Sequence, residues 1–205
     1  DLYRFNRRDP EVIHILAEAM RIGFYNRAKY LGDMDFVEVD LARLISKEFV
    51  EQFIPKISRV KTMSSNELGQ EILTRGEGTE TTHFSVIDRA GNMVANTYTI
   101  EQSYGSRVIA KGTGFLLNNQ MHDFNMNPGA TDTNGMIGTL PNLITPGKRM
   151  LSSMTPTILE KEGKLFMVVG SPGGSTIITS VFQNILNVTE FGMAMQESVN
   201  SARFH

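Results

Sequence analysis

Thr81 heads the run Thr81, Thr82, His83, Phe84, Ser85, Val86, Ile87, Asp88, directly after the glycine-spotted stretch Arg75, Gly76, Glu77, Gly78, Thr79, Glu80. A threonine hydroxyl is a weak nucleophile by itself. Cutting the bond between Glu80 and Thr81 would place an α-amino group beside it, and such an amine titrates at about 7.7–8. An N-terminal threonine therefore carries its own general base near neutral pH, which suits attack on an amide carbonyl. The pair Thr81, Thr82 also has an ordinary reading, because β-branched residues favour strands.

Two further stretches hold chemistry-bearing residues. In Gly170, Ser171, Pro172, Gly173, Gly174, Ser175 the glycine pair Gly173 and Gly174 precedes a helix expected to begin near Ser175 or Thr176. Adjacent glycines let backbone amides approach a substrate closely, and a helix N-terminus favours negative charge. That would serve as an oxyanion hole. A plain glycine turn is the alternative, while a phosphate loop is excluded by the absence of GxxxxGK[ST] spacing. The other stretch is Arg149, Met150, Leu151, Ser152, Ser153, Met154, Thr155, Pro156, Thr157.

Taken in order, these three motifs resemble the γ-glutamyltranspeptidase family of N-terminal nucleophile hydrolases, which process glutathione and related γ-glutamyl compounds. The likeness extends from Tyr30, Leu31, Gly32, Asp33 to Ala202, Arg203, Phe204, His205. It implies autocatalytic cleavage between Glu80 and Thr81, with Thr81 then forming a γ-glutamyl ester that is released by water or by an amino acid or peptide acceptor. By the same resemblance Thr99 orients the nucleophile, although a strand threonine between Tyr98 and Ile100 reads as a purely structural residue too. Gly173 and Gly174 become the oxyanion hole. Glu101, Gln120 and Asp123 match positions that hold the donor's α-ammonium, and two acidic groups facing one ammonium make electrostatic sense. Ser152 and Ser153 match those that bind its α-carboxylate, while their bland reading is as turn or capping hydroxyls. Arg149 is the nearest local cation for that carboxylate, or else a structural residue.

The resemblance further implies that the chain holds the end of a large-subunit segment, residues 1–80, with a mobile linker before the cleavage site. Residues 81–205 would be the small-subunit catalytic segment, continuing beyond His205. The implied fold class is α+β, an αββα sandwich of the N-terminal nucleophile hydrolase type, incomplete at both ends. The partners it implies are a γ-glutamyl donor such as glutathione, an acceptor, and the remainder of the precursor. No metal or organic cofactor is expected, and the location implied is periplasmic or secreted. Departures touch the rim of the site: Glu101 stands where some members have asparagine, Met150 where proline is common, and Asn134 within a lid-like stretch, 128–138, that carries a tyrosine in some relatives. Two alternatives stay open, a relative that acts on poly-γ-glutamate or another acyl amide, and an unprocessed, inactive ligand-binding relative.

The elements that must position these groups are legible in the periodicity. Ile13, Leu16, Ala17, Met20 and Phe24 recur at helical spacing between Asp9, a fitting N-cap, and about Leu31, with Pro10 in the first turn and Gly32 marking the end. A short helix follows Asp40, carrying Leu41, Leu44 and Ile45. From Lys56 to Glu80 the pattern fades into a polar loop. Strands are predicted over Thr82–Asp88 and Met93–Ile100, then over Thr157–Glu160 and Leu165–Gly170 with Glu162 and Gly163 at the turn. A helix over Thr176–Val188 presents Ile177, Ile178, Val181, Phe182, Ile185 and Leu186.

Composition narrows the partners. The chain has 205 residues, 40% of them hydrophobic, enough for a sizeable core. A net charge of -2 with no long basic run argues against nucleic acid. Zero cysteines exclude disulfides and thiolate metal sites. No apolar run reaches transmembrane length. His14, His83, His122 and His205 lack zinc spacing, and Asn187, Val188, Thr189 forms a glycosylation sequon at a predicted helix end.

Overall fold

Residues 6–64, 80–125 and 140–205 are described by a computed structural model, and they form two packing units. The first unit draws on Asp1–Arg75 and Met121–Leu151, the second on Gly76–Gln120 and Ser152–His205. The expected linker glycines Gly76 and Gly78, and the lid-like stretch with Asn134, lie outside the described residues. Helices and antiparallel strands segregate along the chain, so the class is α+β.

The first unit is built on α1, Pro10–Tyr30. Asp9 caps it as expected, its Oδ1 accepting the Glu11 N–H at 2.9 Å, and Pro10 occupies the first turn. The buried stripe differs from the expected one: it is Val12, Leu16, Ile22 and Ala28, joined by the carboxylate of Glu18, whereas Ile13, Ala17, Met20 and Phe24 are only half-buried. The reason lies in Met63. Glu18 Oε2 accepts the Met63 N–H at 3.1 Å, and Arg21 donates to both Glu18 Oε1 (2.7 Å) and the Met63 carbonyl (2.8 Å). This ionic clasp pulls Met63 onto Ile22, with Tyr25, Phe53 and Ile57 packed around them. The polar loop expected from Lys56 is thus anchored, and buried, at Met63.

Gly32 has a role other than ending the helix. A Cβ there would sit 2.2 Å from the Pro141 carbonyl oxygen, so only glycine permits the turn after α1 to meet the 3₁₀ turn Leu140–Asn142. Two short helices follow, α2 over Leu41–Leu44, capped by Asp40, and α3 over Lys47–Glu51, capped by Ser46. The apolar residues of α2 and its exit do not join a core; Leu41 and Ile45 are exposed and border a cleft of about 380 Å³ that Phe49, Phe53 and Ile57 also line.

The second unit contains two hairpins and a helix. Strands β1 (Thr81–Ile87) and β2 (Met93–Thr99) pair antiparallel, each one residue from the expected start or end. Their turn is organised by Asp88, whose Oδ2 accepts the Asn92 side-chain amide at 2.7 Å and whose Oδ1 accepts the N–H groups of Asn92 (2.9 Å) and Ala90 (2.8 Å); these donors hold its carboxyl below the usual carboxylate range. Strands β3 (Thr157–Lys161) and β4 (Lys164–Val169) are closed by Glu162 and Gly163, with φ of 54° and 72°. Two positive φ values in a two-residue loop match the right-handed twist of the hairpin.

Helix α4, Thr176–Thr189, packs Ile177 and Val181 against Met167 and Val169 of β4. Each such side chain contributes about 1.5–3 kcal/mol relative to exposure. Of the expected apolar stripe only Ile177 and Val181 are buried, with Ile178, Phe182, Ile185 and Leu186 half-buried, whereas Thr179, Ser180, Gln183, Asn184 and Asn187 are buried as well. Four of them have partners from the following segment: Asn187 Nδ2 donates to Ser198 Oγ (3.2 Å), Ser198 Oγ donates to Asn184 Oδ1 (2.8 Å), Gln183 exchanges two hydrogen bonds with the backbone of Phe204, and Thr179 Oγ1 lies 3.0 Å from His205 Nδ1. This polar side of α4 is covered by α5 (Met195–Asn200) and the segment after it. Asn187 of the sequon is consequently inside.

Candidate active site

Thr81 opens β1 and pairs in register with Thr99, the last residue of β2. With a side-chain period of two, Thr81, His83 and Ser85 share one face with Thr99, Thr97 and Ala95. The opposite face carries Phe84, Val86, Val94 and Tyr98, all exposed. The expectation that the hydroxyl of Thr99 reaches Thr81 across the hairpin is met: Thr81 Oγ1 donates to Thr99 Oγ1 at 3.2 Å.

Thr99 is a junction. Its hydroxyl donates to the Glu80 carbonyl oxygen at 2.9 Å and also accepts the Glu101 backbone N–H at 2.8 Å. One donated and two accepted bonds use the full capacity of a hydroxyl, so its single proton points at the carbonyl preceding Thr81. The Thr81 hydroxyl, the preceding carbonyl and an O–H donor to that carbonyl are thereby held together.

Two residues further along, Glu101 takes φ of 77°, a left-handed conformation uncommon for a non-glycine residue. Its side chain is buried, and Oε2 has no hydrogen-bond partner among the described residues. A buried carboxylate oxygen left unpaired is costly and marks a place where a cation would be welcome. Nothing in the local sequence announces this conformation. Asn119 ties the approach to Gln120 to the same strand exit, its N–H donating to the Ile100 carbonyl (3.3 Å) and its Oδ1 accepting the Gln102 N–H (3.2 Å).

Gly173 has φ of 125° and Gly174 of 56°, both in the region that favours glycine. A Cβ on Gly173 would lie 2.5 Å from Thr176 Oγ1. The Gly173 carbonyl is used by the Thr176 hydroxyl (2.6 Å) and the Thr176 N–H (3.1 Å), and the Gly174 carbonyl by the Ile177 N–H (3.0 Å). Among the described residues neither glycine's own N–H donates within the protein, and Ser175 gives α4 no side-chain cap. Two amide donors at a helix entrance are thus left without an acceptor among the described residues.

Ser152 is exposed and its Oγ accepts the Met154 N–H at 3.1 Å; beyond Ser153, the Thr155 hydroxyl is buried with no hydrogen-bond partner among the described residues, a feature with no signal in the sequence. Asp123 belongs to the first unit, where its carbonyl accepts from Asn142 Nδ2 at 2.7 Å. Arg149, in that same unit, is committed to Asp33: its N–H and Nε donate to Asp33 Oδ2 at 2.8 and 3.0 Å, and its terminal nitrogen also bonds Asp33 Oδ1 and, at 2.5 Å, Asp35. Of the two readings of Arg149, this geometry favours the structural one.

Both ring nitrogens of His83 have hydroxyl neighbours. Nδ1 lies 2.8 Å from Thr97 Oγ1 and Nε2 lies 3.1 Å from Ser85 Oγ, and burial lowers its pKa, keeping the ring neutral. Among the described residues no cluster of histidine and acidic side chains could hold a metal, and no helix is long and apolar enough to cross a membrane.

The family model described as Gamma-glutamyltranspeptidase matches residues 1–205. A glutathione hydrolase proenzyme of Escherichia coli (strain K12) is 40% identical over 205 residues, covering 100% of this chain and 35% of the relative. One of the same name from Pseudomonas aeruginosa is 42% identical over 193 residues, covering 94% and 34%. The chain thus spans about a third of the length of these curated relatives. The crystal structure of a Helicobacter pylori γ-glutamyltranspeptidase variant aligns at 54% identity and a TM-score of 0.58, over 60% of this chain and 67% of that one. The chain belongs to the γ-glutamyltranspeptidase family.

Proposed function

We propose that this chain is part of an autoprocessing γ-glutamyl hydrolase or transferase in which Thr81 is the nucleophile for both maturation and turnover. The observation that carries the reading is the Thr99 hydroxyl, which accepts from Thr81 and donates to the Glu80 carbonyl. In the precursor the Thr81 oxygen attacks the Glu80 carbonyl carbon. Negative charge develops on the carbonyl oxygen, where the Thr99 O–H stabilises it. The C–N bond between residues 80 and 81 then breaks, its nitrogen taking a proton, and an ester joins Glu80 to Thr81. Water hydrolyses that ester, leaving a carboxylate at Glu80 and a free amine on Thr81.

In turnover the amine takes the Thr81 hydroxyl proton as the oxygen attacks a γ-glutamyl amide. Gly173 and Gly174 offer N–H groups to the tetrahedral oxyanion, and the leaving amine departs with a proton. Glu101, with Gln120 and Asp123, receives the donor's α-ammonium; the unpaired Oε2 of Glu101 supports this assignment. Ser152 and Ser153 receive the α-carboxylate. The curated relatives are named glutathione hydrolase, which supports glutathione and similar γ-glutamyl compounds as the substrate class; the acceptor on this reading is water or an amino acid or peptide.

On this reading, residues 1–80 end the large subunit and 81–205 belong to the small subunit, with the rest of the precursor completing an αββα sandwich. The exposed apolar face of Phe84, Val86, Val94 and Tyr98 has the character of an inner layer in such a sandwich. Periplasmic or secreted placement goes with the same reading. Intact-mass analysis of the full-length precursor tests it: two chains should appear, the smaller beginning at Thr81, and a γ-glutamyl anilide should be turned over. A Thr81→Ala precursor that still splits at this bond would sink the mechanism.

A further inference from the structure

The exit of β4 and the nucleophile strand meet at one contact that the chemistry above does not use. A Cβ built on Gly170 would fall 2.1 Å from His83 Nδ1, 2.2 Å from Cε1 and 2.6 Å from Cγ, so the imidazole ring occupies the space a side chain would need. His83 stands two residues from Thr81 on the same face of β1, paired with Thr97 in the next rung of that face after the Thr81 and Thr99 pair. Gly170 directly follows β4 and begins the turn that reaches Gly173 and Gly174. The ring is not loose. Thr97 lies 2.8 Å from its Nδ1 and Ser85 lies 3.1 Å from its Nε2, which fixes both its tilt and its height above the strand.

We propose that His83 is a positioning residue whose ring, seated on Gly170, sets the spacing between the nucleophile strand and the glycine turn that offers the oxyanion amides. This rests on the proposed function, because it assigns a distance requirement to that reaction. A flat, neutral ring suits the task. It fills a fixed volume, brings no formal charge near the developing oxyanion, and its two nitrogens are both engaged by hydroxyls, so it has little freedom to swing. Substitution of Gly170 must displace either the ring or the turn, and an ångström-scale displacement of oxyanion donors is enough to cost about a hundredfold in rate.

The test is a double-mutant cycle in the full-length precursor, read by intact mass for cleavage and by kcat and KM on a γ-glutamyl anilide. Gly170→Ala is expected to lower kcat about a hundredfold with KM changed by less than about twofold. His83→Ala is expected to lower kcat by roughly tenfold, and adding Gly170→Ala to it should then be close to neutral, because the ring that clashed has gone. Multiplying effects, an unchanged kcat in Gly170→Ala, or a KM that moves in step with kcat would overturn the proposal. Should Gly170→Ala alone fail to fold, the comparison of His83→Ala with the double variant still decides, since a further large loss there rules out the shared contact. A wild-type chain that matures without turning over the anilide overturns the proposed function and this role with it. Turnover by wild type without coupling overturns the positioning role alone.

Discussion

The Asp33 carboxylate holds Arg149 by both main chain and side chain, taking the backbone N–H at 2.8 Å and Nε at 3.0 Å on a single oxygen. Residue 33 precedes the proposed cleavage site and residue 149 follows it, so this pair would join the two mature chains. A forked guanidinium also fits a planar carboxylate in a way that an ammonium cannot.

Asp33 should therefore dominate acid sensitivity in its unit. Its hydrogen bonds from Arg149 hold its carboxyl well below the usual carboxylate range. With a depressed folded pKa, the stabilisation is fully present above the ordinary value of about 3.9 and is lost as pH falls toward the folded value, because the unfolded chain takes up the proton first. Acid unfolding of wild type should steepen below about pH 4, and Asp33→Asn should lack that component. At neutral pH, Asp33→Asn should melt below wild type, with Arg149→Lys between them.

Removing the Thr99 hydroxyl should slow both reactions assigned to Thr81. In cleavage the Thr99 hydroxyl is an oxyanion donor, and loss of one such donor slows a reaction by about a hundred- to a thousandfold. Thr99→Val is expected to cleave that much more slowly between residues 80 and 81 and to lower kcat as well, because Thr81 loses the hydroxyl that orients it, whereas Thr99→Ser should keep most of both. Time-resolved intact mass and steady-state kinetics check the two arms.

Glu101→Gln should trade function for stability. Losing a charge-assisted bond to the donor's ammonium raises KM by roughly ten- to a hundredfold. The same substitution removes an unpaired buried carboxylate oxygen, so the melting temperature should stay level or rise. A variant with unchanged KM would remove Glu101 from the ammonium site.

Gly173→Ala should be harmful for a different reason. The added methyl would stand 2.5 Å from Thr176 Oγ1 at a φ of 125°, and such a backbone costs about 1–3 kcal/mol for a residue other than glycine. The expected result is a lower melting temperature together with a kcat loss, read by thermal denaturation and turnover of the processed protein.

Asn187 should remain without glycan even where the machinery for attachment exists. It is 2% exposed and donates to Ser198 at 3.2 Å. Expression in a glycosylating secretory host, followed by intact mass, should show no added hexose mass at this sequon.

Local chemistry made much of this architecture legible in the sequence. Asp9 and Pro10 start α1, Glu162 and Gly163 close a two-residue hairpin, and alternation in β1 and β2 brought Thr81 opposite Thr99. What escaped depends on residues distant along the chain. Glu18 faces inward because Met63 arrives 45 positions later to use its carboxylate. Thr179, Gln183, Asn184 and Asn187 face inward because later residues satisfy them, Ser198 in α5 for the two asparagines, Phe204 for Gln183 and His205 for Thr179. The left-handed backbone of Glu101 and the contact of Gly170 with His83 carry no local signature, since each is imposed by a neighbouring segment rather than by the residue's own preference.

Chain ends usually fray, because the last residues of a strand have little to hold them. The pairing of Thr81 with Thr99 alters what a cut before Thr81 would produce. A new terminus made there is born inside a ladder that continues through Ile87 and Met93, so severing the chain frees an amine without freeing the residue that bears it. The orientational entropy that an unanchored nucleophile would lose on meeting its substrate has already been surrendered in folding. Maturation then needs no rearrangement of this strand: hydrolysis of one bond unmasks a group that the hairpin has been aiming since the protein folded.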